Sequence, residues 1–241
     1  FLGRGAKDGV YVRDERSGEE EVTGDEVVGL AGLRLDSAWS GRTSSTLAAS
    51  VGSSEVDVTA MDGAIVDAID RGRETELRVR ADVRRASTPA GTVLVGAALK
   101  AYRYDYELYV NDVWTPYEIA RRDLAARDRR SSADVAAYAE VERALPGRGR
   151  LLAGIRLDHW GAASATAASP RVKAEFVPAR ALRLVGYWGM YRQGVPYIWM
   201  ASAPGNAGLA PIMSRQFGGG FDLEPARWLR VGVEAFDKRY R

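Results

Sequence analysis

The chain has 241 residues, of which 46% are hydrophobic and 27% are charged, and its formal net charge is +2. The absence of cysteine excludes disulfides, thiolate metal sites and cysteine nucleophiles, and a single histidine, His159, excludes metal sites built from several histidines. No run of 18 apolar residues is present, and the first residues lack the charged and apolar regions of a signal peptide, so the sequence predicts neither a transmembrane helix nor a leader.

From residue 27 onward, apolar residues recur at every second position. Leu33 and Leu35 alternate with Arg34 and Asp36, and the same period returns along the rest of the chain. Alternation of this kind predicts β-strands with one apolar and one strongly polar face. Ten such segments are predicted, at 27–39, 45–60, 73–85, 92–107, 133–144, 150–160, 170–178, 181–192, 214–224 and 228–239.

The connections between these segments alternate in length. The short ones are rich in Gly or Pro and lie at 40–43, 87–91, 146–149, 178–180 and 224–227. The long ones lie at 61–72, 108–132, 161–169 and 193–213. An outer-membrane β-barrel has this alternation, because its periplasmic turns are tight and its outer loops are long. A soluble β-sandwich, the alternative, has no reason to place every long loop at one end.

Many predicted strands have roughly 10–13 residues, against about 5–6 in an ordinary globular strand. The predicted fold class is therefore all-β: a portion of an antiparallel transmembrane β-barrel with about ten long strands. Rings near strand ends are predicted to form aromatic girdles at the membrane interfaces: Trp39, Tyr104, Tyr106, Trp160, Trp188 and Trp228. The alternative places them in the core of a soluble β-domain.

The predicted topology leaves both ends of the chain on one side of the membrane. If the short turns are periplasmic, the strand at 27–39 runs inward and the strand at 228–239 runs outward. Closed bacterial barrels have even strand numbers, and closing one normally leaves both termini in the periplasm. We therefore expect this chain to be a piece of a longer barrel.

Four stretches of the second half resemble, in order and spacing, the barrel of a TonB-dependent outer-membrane receptor. They are "LLAGIRLDHW", "ASPRVKAEFVPARALRLVGYWGMYRQGVP", "GNAGLAPIMSRQFGGGFD" and "LRVGVEAFDKRY". The resemblance is firm over about 150–240 and looser over 73–144, where "ETELRVRADV" and "AAYAEVE" fit the same barrel. No single stretch is specific, and their joint order carries the resemblance.

The resemblance implies a barrel of about 22 strands with a plugged lumen. Residues 27–241 would form part of that barrel, without the plug domain, and residues 1–26 an outer loop or an additional strand. The implied function is TonB-dependent uptake of a scarce nutrient, such as a siderophore, a cobalamin or a glycan, across the bacterial outer membrane. The implied partners are outer-membrane lipid and lipopolysaccharide, the nutrient, and the TonB complex through an N-terminal region outside this chain; no cofactor is implied.

Two alternatives within the membrane-barrel class stay open. One is a passive porin-like channel, which shares the polar lumen and the alternating strands. The other is a ten-stranded outer-membrane protease, for which Asp158 and His159 would have to act together. Adjacent strand residues point to opposite faces, so this pair is poorly placed and no enzyme activity is predicted.

Other chemistries find little support in the sequence. No nucleotide-binding motif occurs. The basic cluster at 121–130 is interrupted by Asp123 and Asp128, so no nucleic-acid partner is predicted.

The parity of the strands also predicts which side chains line a lumen. These are Arg34, Asp36, Arg78, Arg80, Arg84, Arg156, Asp158, Lys173, Glu175, Arg230 and Glu234. Ligand contacts are expected from the loops, and the candidates are Tyr191, Arg192, Gln193, Tyr197, Trp199 and Asn206. Packing of one loop against another is the alternative for each candidate, and no metal ligand is predicted.

Overall fold

The computed structural model describes residues 6–9, 12–13, 20–62, 65–88, 91–113, 122–196, 200, 206 and 208–241. They form one sheet of twelve strands. The strands are β1 (Ala6–Gly9), β2 (Val12–Arg13), β3 (Glu20–Ser40), β4 (Thr43–Asp62), β5 (Ile65–Thr88), β6 (Gly91–Val113), β7 (Arg122–Leu145), β8 (Gly149–Trp160), β9 (Ala165–Ala179), β10 (Leu182–Gln193), β11 (Ile212–Ala226) and β12 (Leu229–Tyr240). Within these residues, no helix is long and apolar enough to cross a membrane.

Each strand from β3 to β12 pairs with the next strand in the chain, and every pairing is antiparallel. The short strands β1 and β2 both pair with β3. Within the described residues no pairing joins β12 to β1 or β3, so the sheet is open. The predicted all-β class and the ten long strands of a barrel portion are confirmed.

The strands fall into two length groups. Strands β3–β7 have 20 to 24 residues, and strands β8–β12 have 12 to 15. A tilted strand crosses a membrane with about 9–11 residues. The first group therefore projects well beyond a membrane at one end. We call this the loop end, and the opposite end, where the short hairpin turns lie, the turn end.

The prediction of long loops at 61–72 and 108–132 was wrong, because most of the described residues in both segments belong to strands. Strand pairing continues through 65–72, 108–113 and 122–132. Both faces of the sheet carry polar residues there, so the alternation that identifies a half-buried strand is absent. The backbone ladder and ion pairs between strands hold these extensions together. The predicted loop at 161–169 shortens to a turn at 161–164.

One face of the sheet, which we call the apolar face, carries rows of apolar side chains. Leu35 pairs with Leu47, and Leu99 lies between Val79 and Val135. Residues of odd number occupy this face in β3–β8, β11 and β12, and residues of even number in β9 and β10. Exposed fractions of 76% for Leu33 and 51% for Phe217 show that no other described part of the chain covers this face. Continuous exposed apolar rows suit a lipid surrounding.

Charged residues mark both limits of the apolar band. Arg85 and Arg143 occupy the apolar face at the turn end, next to the hairpin turns. At the loop end the last apolar row contains Leu77 and Ala101, and Arg103 lies in the next row. Between these limits the apolar face of β6 carries only aliphatic side chains.

The opposite face, which we call the polar face, carries the residues predicted to line a lumen. One register row runs from Arg34 through Arg80 to Asp158 across β3–β8. Arg34 pairs with Asp36 at 2.8 Å, and Thr46 donates a hydrogen bond to Asp36 at 2.6 Å. Charges are thus paired along the face.

The prediction of aromatic girdles was wrong for three of its six rings. Tyr104, Tyr106 and Trp160 belong to the polar face, because their numbers are even in β6 and β8. Tyr104 is 1% exposed and Tyr106 5% exposed. These rings therefore pack against neighbours on the polar face and do not contact lipid. Trp39 and Trp188 do lie on the apolar face, and Trp228 lies in a turn and is 84% exposed.

In the middle of the polar face, the ring of a tyrosine in one strand lies over a glycine in the neighbouring strand. Tyr138 of β7 is the direct partner of Gly96 in β6, and its ring lies where a side chain at 96 would be. The Tyr138 hydroxyl donates to the carboxylate of Asp82 in β5. The guanidinium carbons of Arg80 and Arg156 lie 5.4 and 5.5 Å from the ring centroid. We call these five residues the tyrosine brace.

Candidate functional site

Three tyrosines at alternate positions of β6 form a column on the polar face toward the loop end. The ring centroids of Tyr102 and Tyr104 are 6.3 Å apart and the rings are stacked, and those of Tyr104 and Tyr106 are 5.8 Å apart. Strand geometry produces this column, because side chains two residues apart point to the same face. The column begins at the level where the apolar band ends on the other face.

Charged groups surround the foot of this column. Lys100 forms an ion pair with Glu76 at 2.7 Å and lies 3.9 Å from Glu74. Arg78 also pairs with Glu76. The Lys100 ammonium lies 4.9 Å from the centroid of Tyr102, a cation–π distance. A ligand here would meet an aromatic surface and groups of both charges.

Burial keeps the upper hydroxyls of the column protonated. Loss of solvent is the main cause that raises the pKa of Tyr104 to about 12, and the neighbouring Asp128 carboxylate adds to it. The same two causes raise the pKa of Tyr106. Tyr104 donates to Asp128 at 3.5 Å, and Asp128 also pairs with Arg130. Both tyrosines thus present neutral hydrogen-bonding groups at neutral pH.

The segment after β10 folds over the polar face. The Gly194 backbone lies on the ring of Trp160, close enough that a Cβ would be 2.6 Å from a ring carbon. Val195 is 8% exposed and Met200 is 4% exposed. Pro196 lines a cavity together with Tyr104. We call residues 194–196 and Met200 the strap.

A cavity of about 670 Å³ lies between the strap and the strand wall. We call it the vestibule, and it is the candidate ligand site. The charged and larger polar side chains that line it come from β5, β6, β7 and the end of β10: Glu74, Glu76, Arg78, Lys100, Tyr102, Asp134 and Gln193.

The structure separates the loop candidates predicted from the sequence. Gln193 lines the vestibule, and Tyr191 lies on the polar face nearer the turn end. Arg192 belongs to the apolar face, and its Nε is buried without a hydrogen-bond partner. Asn206 lies beyond the strap, where its backbone carbonyl accepts a hydrogen bond from the backbone N–H of Leu209. Tyr197 and Trp199 lie outside the described residues.

Sequence reasoning predicted Arg78 for the lumen and Gln193 for ligand contact, and it missed the other strand residues of the vestibule. Tyr102 shares the even parity of Lys100, and that parity was a usable signal of its face. Asp134 and Trp160 are direct partners across β7 and β8, which only the register reveals. Among the described residues, no three His, Cys, Asp or Glu side chains form a group that could hold a metal ion.

The structure thus presents part of a barrel wall, with an apolar face, a polar face and a partly covered cavity at the loop end. This arrangement is the wall of a transmembrane β-barrel of the outer-membrane class. The sequence model of the family described as "TonB dependent receptor-like, beta-barrel" matches residues 11–241. The chain belongs to this family, whose members are receptors of the bacterial outer membrane.

Solved structures share the fold. The copper transporter OprC has a TM-score of 0.68 and 16% identity, over 91% of this chain and 41% of that chain. The siderophore receptor PiuA from Acinetobacter baumannii has a TM-score of 0.65 and 12% identity, over 90% and 40%. The ferric-catecholate import receptor Fiu from E. coli has a TM-score of 0.67 and 11% identity, over 91% and 41%.

These identities show the fold alone. The chain spans about two-fifths of the length of these structures, 41% of OprC and 40% of PiuA. No curated protein matches the sequence.

Proposed function

We propose that the protein containing this chain takes up a scarce nutrient across the bacterial outer membrane with energy delivered by TonB. The observation that carries the proposal is the vestibule, which joins an aromatic column to paired charges at the loop end of a wall from this receptor family. In barrels of this type the long connections are extracellular, so the vestibule would face the medium. The nutrient would be a small ligand of siderophore, cobalamin or glycan type.

The partners of this function would be the TonB complex and the outer-membrane lipids. TonB would act through a region outside this chain, and lipid and lipopolysaccharide would surround the apolar face. The strap favours a receptor over a passive channel, because it covers part of the wall that an open pore would leave free.

The protease alternative finds no support in the geometry. Asp158 lies on the polar face and pairs with Arg156 at 2.8 Å. His159 lies on the apolar face, where its Nδ1 is 2.9 Å from the Thr166 hydroxyl. An Asp–His couple that activates water needs both groups within hydrogen-bond reach of one another or of one water, and these point apart. The proposed function includes no enzymatic step.

Uptake by cells tests the proposal. The full-length protein would be expressed in a host that lacks its own receptors, with and without TonB, and supplied with labelled ferric enterobactin, Cu(II), cobalamin or an oligosaccharide. We expect accumulation of one of these only when TonB is present. Accumulation that is equal without TonB would establish the passive channel instead.

Removal of the vestibule contacts should weaken ligand binding. For the double variant Tyr102→Ala/Gln193→Ala we expect roughly a tenfold or greater loss of affinity for the compound that is taken up, because a stacking surface and an amide are lost together. Tyr109→Ala is the matched control, since it removes a ring of the same strand from the apolar face. Fluorescence titration of the purified protein measures both. Equal affinities for the double variant and the control would place the ligand elsewhere.

A further inference from the structure

Four acidic and four basic residues form stripes of alternating charge on the apolar face of β4–β7, just beyond the lipid-facing band. They occupy two register rows, and in both rows the charge changes sign from each strand to the next. Strands β4 and β6 carry the acids, and strands β5 and β7 carry the bases. The first row is Glu55, Arg73, Asp105 and Arg129, and the second is Asp57, Arg71, Glu107 and Arg127. We call these eight residues the charge stripes.

The charge stripes are exposed, and their pairing within the chain explains little of the stability of the sheet. Arg71 contacts Asp57 at 2.9 Å, and these side chains are 49% and 59% exposed. Arg73 contacts Glu55 at 2.8 Å, and both are again more than half exposed. Exposed ion pairs add little stability each, because water screens the charges. An ordered array of such charges therefore suits a contact with a partner outside the chain.

The sum of the charges says what kind of partner fits. Four arginines balance four carboxylates, so the eight residues carry no net charge. A partner surface of a single sign would be repelled by half of the stripes. A surface with the same mixture of acidic and basic strands would be attracted by all of them.

The stripes change sign about the line between β5 and β6. Acidic β4 and basic β7 lie equally far from this line, and basic β5 and acidic β6 are its immediate neighbours. A half-turn about an axis along this line exchanges β4 with β7 and β5 with β6. Every acidic strand then meets a basic strand of a second copy. The interface of a two-fold dimer has to be complementary to itself in this way.

The stripes also lie where two copies in one membrane can meet. Copies inserted in the same direction are related by an axis that crosses the membrane, which keeps equivalent residues at equal depth. The last apolar row contains Val51, Leu77 and Ala101, the next row contains Arg103, and the charge stripes follow. Barrel strands are tilted, so the strands of two copies cross. Long arginine side chains can reach acids on either side of that crossing.

Small side chains beside the same line allow the two walls to approach. Ala97 of β6 lies between Ala81 of β5 and Ala137 of β7 on the apolar face. Within membranes, small side chains let neighbouring backbones pack closely. From a strand spacing of about 4.8 Å the charge stripes cover roughly 300 Å², whereas a stable interface takes about 800 Å² from each copy. The apolar rows next to the stripes would supply the rest.

We propose that the charge stripes join two copies of the receptor side by side in the outer membrane, with β5 of each copy against β6 of the other. The β5 arginines of one copy meet the β6 carboxylates of the second copy, and the β4 acids meet the β7 arginines farther from the axis. Each contact occurs twice, because the interface is two-fold. The proposal does not depend on the proposed uptake function, since the dimer uses the outer wall and needs no nutrient.

Charge reversal in one strand at a time separates contacts between copies from contacts within one copy. Arg71→Glu/Arg73→Glu makes β5 acidic, so two copies of this β5 variant would set acid against acid. Asp105→Arg/Glu107→Arg makes β6 basic, so two copies of this β6 variant would set base against base. A mixture of the two variants restores opposite charges in both halves of the β5–β6 contact.

Energy transfer between donor-labelled and acceptor-labelled full-length protein in phosphatidylcholine vesicles gives the dissociation constant of the dimer as added lipid dilutes the protein. We expect the β5 variant and the β6 variant each to associate with itself roughly thirtyfold or more weakly than the unaltered protein. The mixture should associate about as tightly as the unaltered protein. The matched control, Arg85→Glu/Arg143→Glu, reverses two arginines of the same face at the turn end and should dimerise normally.

The mixture also guards against an effect of folding. Heat-modifiable gel mobility shows whether each variant is folded. Recovery in the mixture can come only from contacts between copies, because each copy keeps its own altered charges. Variants that are folded but stay monomeric when mixed would refute the interface.

Salt tests the same contact without any substitution. Ions screen exposed charges, so the dissociation constant of the unaltered protein should rise roughly tenfold between about 0.05 M and about 0.5 M sodium chloride. Absence of energy transfer by the unaltered protein, or a dimer that salt does not weaken, would overturn the proposal. Dissociation of the dimer by an equimolar amount of purified lipopolysaccharide would assign the charge stripes to lipid and would also overturn it.

Discussion

Leu99→Arg is expected to destabilise the folded barrel by about 2–4 kcal/mol, because it places a charge near the middle of the lipid-facing band. Leu99 lies on the apolar face between Val79 and Val135, and it is 37% exposed to its surroundings. Neither neighbour offers a partner for a guanidinium group. The side chain could reach water only by bending past Arg103 or toward the turn end, which strains it and thins the bilayer nearby.

Leu94→Arg is the control for this prediction, since it makes the same change in the same strand on the polar face. Leu94 lies on the polar face between Arg84 of β5 and Glu140 of β7, where a new charge can stay in water and share Glu140 with Arg171. The fraction of full-length protein that folds into vesicles along a urea titration, read from heat-modifiable gel mobility, measures both variants. If Leu94→Arg proves as costly as Leu99→Arg, the assignment of the two faces is wrong.

The membrane-spanning strands were predictable because their two faces meet different solvents. In the predicted strand at 92–107, Leu99 and Ala101 face lipid and Lys100 between them faces the lumen. Apolar and polar residues therefore alternate, and this pattern alone predicts the strand. The alternation continues through Glu107, and from Leu108 to Val113 apolar and polar residues no longer alternate, so the pattern there does not distinguish a strand from a loop. The extension to Val113 is stabilised by pairing with β5 and β7, which a single strand's sequence does not display.

The vestibule and the tyrosine column beside it were less predictable, for two different reasons. The faces of Tyr104 and Tyr106 followed from parity, and the girdle prediction failed because it considered nearness to a strand end and not parity. The strap is a different case. Gly194 contacts Trp160 across 34 positions of sequence, and nothing local to either residue signals that contact. Long-range packing of a loop on a wall therefore needs the structure.

Gly96→Val is expected to destabilise the barrel by about 2–4 kcal/mol, since it fills the space that Tyr138 occupies. A Cβ at position 96 would lie 2.5 Å from the Tyr138 ring and 2.6 Å from an Asp82 oxygen. The ring would have to leave β6, so the hydroxyl would lose Asp82, and the guanidinium groups of Arg80 and Arg156 would lose the ring face. Overpacking and a lost charged hydrogen bond then add together.

Gly186→Val is the control for Gly96→Val, because Gly186 lies on the apolar face of β10 with no atom within 4 Å of a new Cβ. In a urea titration of the full-length protein in vesicles, this control should be as stable as the unaltered protein or slightly more stable, since it adds apolar surface toward lipid.

The double variant Gly96→Val/Tyr138→Ala tests whether the clash with the ring causes the loss of stability. With the ring gone the clash disappears, so the double variant should be no less stable than Tyr138→Ala alone. If the stability losses of Gly96→Val and Tyr138→Ala simply add in the double variant, then position 96 needs glycine for its backbone and the tyrosine brace does not depend on Gly96.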